Sequence, residues 1–200
     1  MKKIVLAAFP VMAIAAALSL SIEPLPIGSP VPQADRKMKD VSGKEISLKE
    51  VQTGKGLLVM FSCNTCPYVI KNQGRTYEIC KYAMGKGIGV AVLNSNEAKR
   101  GDDDSFDAMK SYATDQGYGW YYLVDKQSSQ ADAFGANKTP ECFLFDGSGK
   151  LVYHGAIDDN PNDASAVNRK HLRMAIDEVL EGKDVSVKES RSVGCTIKRL

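Results

Sequence analysis

The hydrophobic pattern of the chain predicts strands that alternate with helices. Continuous apolar runs at residues 56–62, 87–95 and 120–125 are typical of buried strands covered on both faces. Four polar or amphipathic segments predict helices, at residues 64–84, 102–117, 128–135 and 163–182. This alternation indicates layers of helix packed against a central sheet.

Turn signals complete the predicted sheet. Residues 38–48 alternate around Ser42-Gly43 and predict a small hairpin, and "DGSGK" at 146–150 predicts a turn between strands 141–146 and 151–156. The last helix has an apolar face formed by Val167, Leu172, Ala175, Ile176 and Leu180. The expected fold class is α/β, with a mixed central β-sheet flanked by helices.

The first 36 residues differ from the rest of the chain. Residues 1–21 combine a cationic start, an apolar run over 4–20 and small residues at the end, which predicts an export signal, cleaved after Ser21, or a retained N-terminal anchor. Residues 22–36 are proline-rich and predict an extended linker, and residues 37–200 form the expected domain. Export would place the protein in the periplasm or another extracytoplasmic, oxidising compartment, with membrane contact only if the segment stays uncleaved.

Charge gives no reason to expect a nucleic-acid partner. The chain is 44% hydrophobic and 25% charged, as in ordinary globular proteins. Its formal net charge is +2, and Lys2 and Lys3 of the leader account for that excess. A neutral domain offers no electrostatic attraction to nucleic acid or to an anionic membrane.

The candidate chemistry lies in "FSCNTCPYVI", residues 61–70, where the first central strand is predicted to lead into a helix. A helix N-terminus stabilises a thiolate, so Cys63 is expected to be exposed, nucleophilic and of lowered pKa. Cys66 is expected to resolve a mixed disulfide with a partner, and Pro67 suits the first helical turn. Two other interpretations stay open. One is a zinc site, for which further ligands are missing, and the other is a structural disulfide.

Longer motifs add a family resemblance. "CNTCP" and "KTPECFLFDGSGKLVYHG" resemble the thioredoxin-like fold, and "IGSPVP", "AVLNSN" and "VGCTIKR" resemble the redoxin branch of the alkyl hydroperoxide reductase and thiol-specific antioxidant superfamily. The resemblance implies Cys63 as the attacking thiol and Cys66 as the resolving thiol, with no cofactor beyond this redox-active pair. It also implies that Thr139 and a cis-Pro140 pack against the pair, with the Thr139 backbone free to bind an extended peptide.

The cysteine pair favours thiol–disulfide exchange with protein partners and an unidentified electron donor or acceptor. The alternative is a peroxiredoxin-like antioxidant thiol peroxidase that reduces hydroperoxides. The peroxiredoxin pattern Pro-x-x-x-Thr-x-x-Cys fits neither cysteine, since Cys63 stands at the threonine position before Cys66 and Met60 at that position before Cys63. A third hypothesis is a binding scaffold without redox chemistry.

The other cysteines and histidines carry weaker expectations. Cys80 falls on an apolar helix stripe and Cys142 in a predicted central strand, and both are expected to fill the core, with a minor redox role left open for Cys142. Cys195 lies in a polar tail and is expected to be a free thiol or an accessory resolving thiol. His154 and His171 are expected to be structural, and "GDDDSFD" at 101–107 is expected to be a solvated loop with a helix cap. No metal site is expected.

Overall fold

A seven-stranded mixed sheet organises residues 23–200, the part of the chain that this computed structural model describes. The predicted export signal or anchor at residues 1–21 lies outside the described residues. The strands of the sheet are β1 (Met38–Asp40), β2 (Glu45–Ile46), β3 (Leu57–Ser62), β4 (Gly89–Asn94), β5 (Tyr121–Val124), β7 (Glu141–Phe145) and β8 (Leu151–Gly155). Two further strands, β6 (Lys138–Thr139) and β9 (Cys195–Thr196), pair separately from it.

The strand order is β2-β1-β5-β4-β3-β7-β8. Strands β3, β4 and β5 are parallel to one another, and the remaining neighbours are antiparallel. Each of the three long apolar runs forms a central strand, as predicted. A parallel strand that is covered on both faces needs apolar side chains throughout. The expected mixed α/β sheet is confirmed.

Helices cover both faces of the sheet. They are α1 (Leu48–Val51), α2 (Pro67–Lys71), α3 (Gln73–Gly85), α4 (Phe106–Asp115), α5 (Ser129–Phe134) and α6 (His171–Leu180). Apolar side chains of α3, α4 and α6 pack against one face, and those of α1 and α5 pack against the other. The sheet thus lies between two hydrophobic cores, one on each face. Polar functional groups are expected at the ends of its strands.

The N-terminal segment, residues 23–36, contains turns and lies against the domain. The Leu25 amide donates a hydrogen bond to the Phe134 carbonyl at 2.9 Å. Leu25, Ile27 and Val31 pack against the core on the α1 and α5 side. This part of the predicted linker therefore contributes to the hydrophobic core.

Three predicted helices differ from the observed ones. The predicted 64–84 helix begins only at Pro67 and is divided at Asn72, whose amide side chain donates to the carbonyls of Tyr68 and Pro161. The predicted 102–117 helix begins at Phe106, after the Ser105 cap. The predicted 163–182 helix begins at His171, because the preceding polar side chains bond to their own backbone instead, as Asp163 does to the Ser165 amide at 2.8 Å.

Within residues 23–200, every helix is too short or too polar to cross a bilayer. The longest, α3, has 13 residues. A span needs about 20 apolar residues.

The aromatic cluster under α5 gives a test of the packing. Phe134 lies edge-on to Phe61, Phe143 and Phe145, with ring centroids 5.3, 5.1 and 5.8 Å away. We expect Phe134→Ala to lower the free energy of unfolding by about 3–5 kcal/mol in urea titrations, because it leaves a cavity in a closed core. The control Ile70→Ala, at a side chain that is 49% exposed, should stay within about 0.5 kcal/mol. Equal effects of the two variants would contradict this packing.

Candidate active site

The two cysteines of the CxxC motif lie on the turn between β3 and α2. Strand β3 ends at Ser62, and Cys66 is the N-cap of α2 with Pro67 as its first helical residue. Proline suits this position because its missing N–H has no acceptor in the first turn. Cys63 is therefore the first residue after the strand, and Cys66 is the last residue before the helix.

Thr139 contacts the sulfur atoms of both cysteines. Its peptide bond to Pro140 is cis, as the family resemblance implied. The Cys63 Sγ lies 3.5 Å from the Thr139 hydroxyl, and the Cys66 Sγ lies 3.3 Å from the Thr139 carbonyl oxygen. The predicted site residues Cys63, Cys66, Thr139 and Pro140 are thus brought together.

The disulfide at this site joins Cys66 to Cys195, with Cα atoms 6.0 Å apart, and Cys63 is a free thiol. This differs from the expected Cys63–Cys66 disulfide, and it gives Cys195 a bonded partner where a free or accessory thiol was expected. The physical reason is strand pairing. Strand β9 runs antiparallel to β6 and aligns Cys195 with Thr139, which places it within disulfide range of Cys66.

The expected exposure and acidity of Cys63 are wrong for this structure. Its side chain is only 2% exposed, and burial raises its pKa above the ordinary value of 9.0. The Thr139 hydroxyl and the amides of Thr65 and Cys66 favour the thiolate, while the Asp104 carboxylate opposes it. The helix begins four residues after Cys63, so the stabilisation expected from its N-terminus does not outweigh the loss of solvation.

The backbone of Thr139, expected to be free for an incoming peptide, is occupied by the C-terminal tail. Its partner across the β6–β9 ladder is Cys195. Cys195 also packs against the buried cluster that Cys63 forms with Cys66 and Val69. The tail therefore packs, through Cys195, against the two cysteines of the CxxC motif.

Asp104 fixes the residue that follows Cys63. It is fully buried, with 0% exposure, although sequence analysis placed it in a solvated loop. Its Oδ1 accepts the Asn64 amide at 2.9 Å and the Asn94 side-chain amide at 2.7 Å, and its Oδ2 accepts the Asn96 side-chain amide at 2.9 Å. A run of three aspartates gives no sequence signal for which carboxylate turns inward. The predicted helix cap is correct, since Ser105 caps α4.

Glu141 holds the loop that carries Thr139. Its Oε2 accepts the backbone amides of Asn137 and Lys138 at 2.7 and 2.9 Å, and its Oε1 lies 2.8 Å from the His154 Nε2. His154, expected to be structural, thus belongs to the support of the site. The sequence predicts only that Glu141 lies in a strand, and no motif marks it as a residue of the site.

The remaining cysteines lie in the core. Cys80 and Cys142 are fully buried, and burial raises the pKa of both thiols. Both are free thiols, so neither takes part in a disulfide in this structure. Across residues 23–200 there is also no group of three or more His, Cys, Asp or Glu side chains arranged to hold a metal ion.

Comparisons with known proteins agree with this geometry. The sequence model of the Redoxin family matches residues 26–170. The chain is 35% identical to a hypothetical protein from Sinorhizobium meliloti 1021, with a TM-score of 0.81 over 89% of this chain and 97% of the other. It is 34% identical to an uncharacterised conserved protein from Geobacillus kaustophilus, with a TM-score of 0.81 over 88% and 93%. No curated protein matches the chain.

A more distant similarity concerns the fold alone. The thioredoxin domain of a thiol-disulfide oxidoreductase from Bacteroides vulgatus is 20% identical, with a TM-score of 0.54 over 65% of this chain and 88% of the other. The mixed sheet, its flanking helices and this likeness give the chain a thioredoxin-like fold. Redoxins with this fold use a cysteine pair and need no cofactor.

The raised pKa of Cys63 gives a spectroscopic prediction. We expect the ultraviolet thiolate absorbance of the oxidised protein, measured against Cys63→Ser, to rise at a higher pH than that of an ordinary solvent-exposed cysteine. The direction follows from burial, which disfavours the charged thiolate. A thiolate signal that titrates below about pH 7 would contradict the burial of Cys63.

The Glu141 contacts predict a stability difference between two variants. Glu141→Ala leaves two backbone amides without their acceptor, so unfolding titrations should show a loss of about 1–3 kcal/mol for each. Glu141→Gln keeps a side-chain oxygen at this position and should lose less. Equal stability of Glu141→Ala and the parent protein would show that these hydrogen bonds do not hold the loop.

Proposed function

Because the chain belongs to the Redoxin family, we propose that it is a thiol–disulfide oxidoreductase. In this proposal a Cys63–Cys66 dithiol or disulfide exchanges with cysteines of protein partners, and a second partner restores it. One observation carries the proposal: the free thiol of Cys63 and the disulfide of Cys66 contact the same residue, Thr139. Thiol–disulfide exchange requires a thiol adjacent to a disulfide.

The proposed reaction has two exchange steps. The Cys63 thiolate attacks a disulfide of the partner, forms a mixed disulfide and releases one partner thiolate. The Cys66 thiolate then attacks the Cys63 sulfur, releases the second partner thiolate and leaves a Cys63–Cys66 disulfide. The protein is oxidised and the partner is reduced, and the reverse sequence oxidises a partner dithiol. The Thr139 hydroxyl and the amides of Thr65 and Cys66 stabilise the thiolate at Cys63.

The tail supports the choice of a protein partner. Cys195 is held on an extended strand that pairs with Thr139 and is bonded to a cysteine of the motif. An extended segment of another protein, with its own cysteine, has the same hydrogen-bonding groups. The name of the Bacteroides vulgatus protein, a thiol-disulfide oxidoreductase, agrees with the proposed type of reaction.

A thiol peroxidase is the second candidate. A peroxidatic cysteine becomes a sulfenic acid, which condenses with another thiol to a disulfide, and the Cys66–Cys195 bond has that form. Against it, Cys63 occupies the position three residues before Cys66 where the peroxiredoxin pattern has threonine. We therefore favour exchange with proteins.

Export to an oxidising compartment is also a proposal, made from residues 1–21 alone. Cleavage would give a periplasmic or extracytoplasmic protein, and retention would anchor it. In either case the compartment permits the disulfide on which the proposed activity depends.

The function is tested by the reduction of insulin disulfides by the mature protein with dithiothreitol as electron source. We expect catalysis by the parent protein and only the background rate for Cys63→Ser and Cys66→Ser, because each lacks one sulfur of the exchange. The matched control Cys80→Ala removes a buried thiol outside the site and should keep the activity.

Hydroperoxide consumption is measured on the same samples. Rapid turnover of hydrogen peroxide without insulin reduction would replace the proposed function by the peroxidase. Full activity of Cys63→Ser would contradict the role of that thiol.

A further inference from the structure

Residues 191–196 cross the cysteine site, and we call them the strap. The residue before the strap, Ser190, is firmly held. Its amide donates to the His154 carbonyl at 3.0 Å, and its hydroxyl accepts the Ala156 amide at 3.0 Å and lies 2.7 Å from the Tyr153 hydroxyl. The N-terminal end of the strap is therefore fixed to the end of β8.

The residues after the strap are equally well held. Ile197 is buried in the core, and its amide donates to the Asn137 carbonyl at 3.0 Å. The Lys198 amide donates to the Asn96 side chain at 2.8 Å, and Arg199 bonds Asp132 at 2.7 Å. Both ends of the strap are thus attached to the domain independently of the disulfide.

The middle of the strap has fewer contacts. It is held by the short pairing with Lys138 and Thr139 and by the bond from Cys195 to Cys66. The hydroxyl of Ser192 is buried without a hydrogen-bond partner. The disulfide is the strongest of these attachments, so breaking it frees the centre of a segment whose ends stay in place.

The three cysteines pack together at this segment. Cys63 and Cys66 belong to one buried cluster, and Cys195 packs against it. The Cys63 Sγ and the Cys66 Sγ lie 3.5 and 3.3 Å from two atoms of Thr139. The sulfur of Cys66, which is in the disulfide, and the free thiol of Cys63 therefore have Thr139 as a common neighbour.

We propose that Cys195 is a third exchanging thiol and that the strap is a redox-controlled cover over the site. Cys63 attacks the Cys66 sulfur, a Cys63–Cys66 bond forms, and the Cys66–Cys195 bond breaks. Cys195 leaves as a thiolate and takes up the proton that Cys63 gives up, so no external oxidant or reductant is needed. The freed strap moves away from Thr139, whose backbone then binds an extended peptide of the partner. Only the binding of a partner peptide rests on the proposed function.

The exchange is tested by trapping the released thiol in the oxidised full-length protein. An excess of iodoacetamide is added at about pH 8, and the products are mapped by mass spectrometry without reduction. We expect alkylation of Cys195 together with a Cys63–Cys66 linkage. Alkylation of Cys63 with an intact Cys66–Cys195 linkage would overturn the proposal, and so would the absence of any alkylation at the site.

Two variants separate the steps. Cys63→Ser lacks the attacking thiol, so Cys195 should stay bonded and unalkylated, and its release in this variant would overturn the proposal. Gly194→Ala changes no thiol, but a Cβ at Gly194 would lie 2.1 Å from the Thr139 carbonyl oxygen and displace the strap. We expect it to accelerate the trapping of Cys195 several-fold.

The matched control for the strap is Gly85→Ala, an exposed position with open space around its Cβ, which should trap at the parent rate. Equal trapping rates for Gly194→Ala and Gly85→Ala would contradict the covering role of the strap. Trapping involves no partner protein. Its failure is therefore distinguishable from a failure of the proposed function, which the insulin assay measures.

Discussion

The pairing of the C-terminal strand β9 with Thr139 is the interaction on which the state of this site depends. It brings Cys195 to Cys66 from 129 residues away along the chain. Cys195 thereby packs against the buried cluster that contains Cys63, a free thiol whose burial raises its pKa. One short ladder between distant segments thus places Cys195 within disulfide range of Cys66.

Two buried carboxylates hold the backbone of the site in place. Asp104 holds the amide next to Cys63, and Glu141 holds the amides next to Thr139. Asn96 connects the Asp104 network to the tail, since its side chain donates to Asp104 and accepts from the Lys198 amide. Both sides of the site and the end of the tail are therefore attached to the same sheet. A satisfied buried network of this kind restricts the positions available to the groups it binds.

Local sequence patterns predicted the parts of the fold that local physics determines. The apolar runs gave the central strands, and the motifs gave the contact of Cys63 and Cys66 with Thr139 and the cis bond to Pro140. The pairing of Cys195 could not be predicted, because it depends on a two-residue ladder between distant segments. The predicted acidity of Cys63 is wrong for a related reason: the helix dipole is a local effect, whereas the tertiary packing that buries the thiol is not. Asp104 shows the same limit, since nothing in an aspartate run indicates which side chain is buried.

The central claim is that the tail strand lies on Thr139 while its disulfide is closed. Amide hydrogen exchange tests it directly, by comparing the segment 194–196 and the amide of Thr139 in the oxidised and the reduced protein. The account predicts slow exchange at both places when the protein is oxidised. It predicts much faster exchange at both after reduction, while β3 stays protected. Exchange of the tail that is fast in the oxidised protein, or unchanged by reduction, would contradict it.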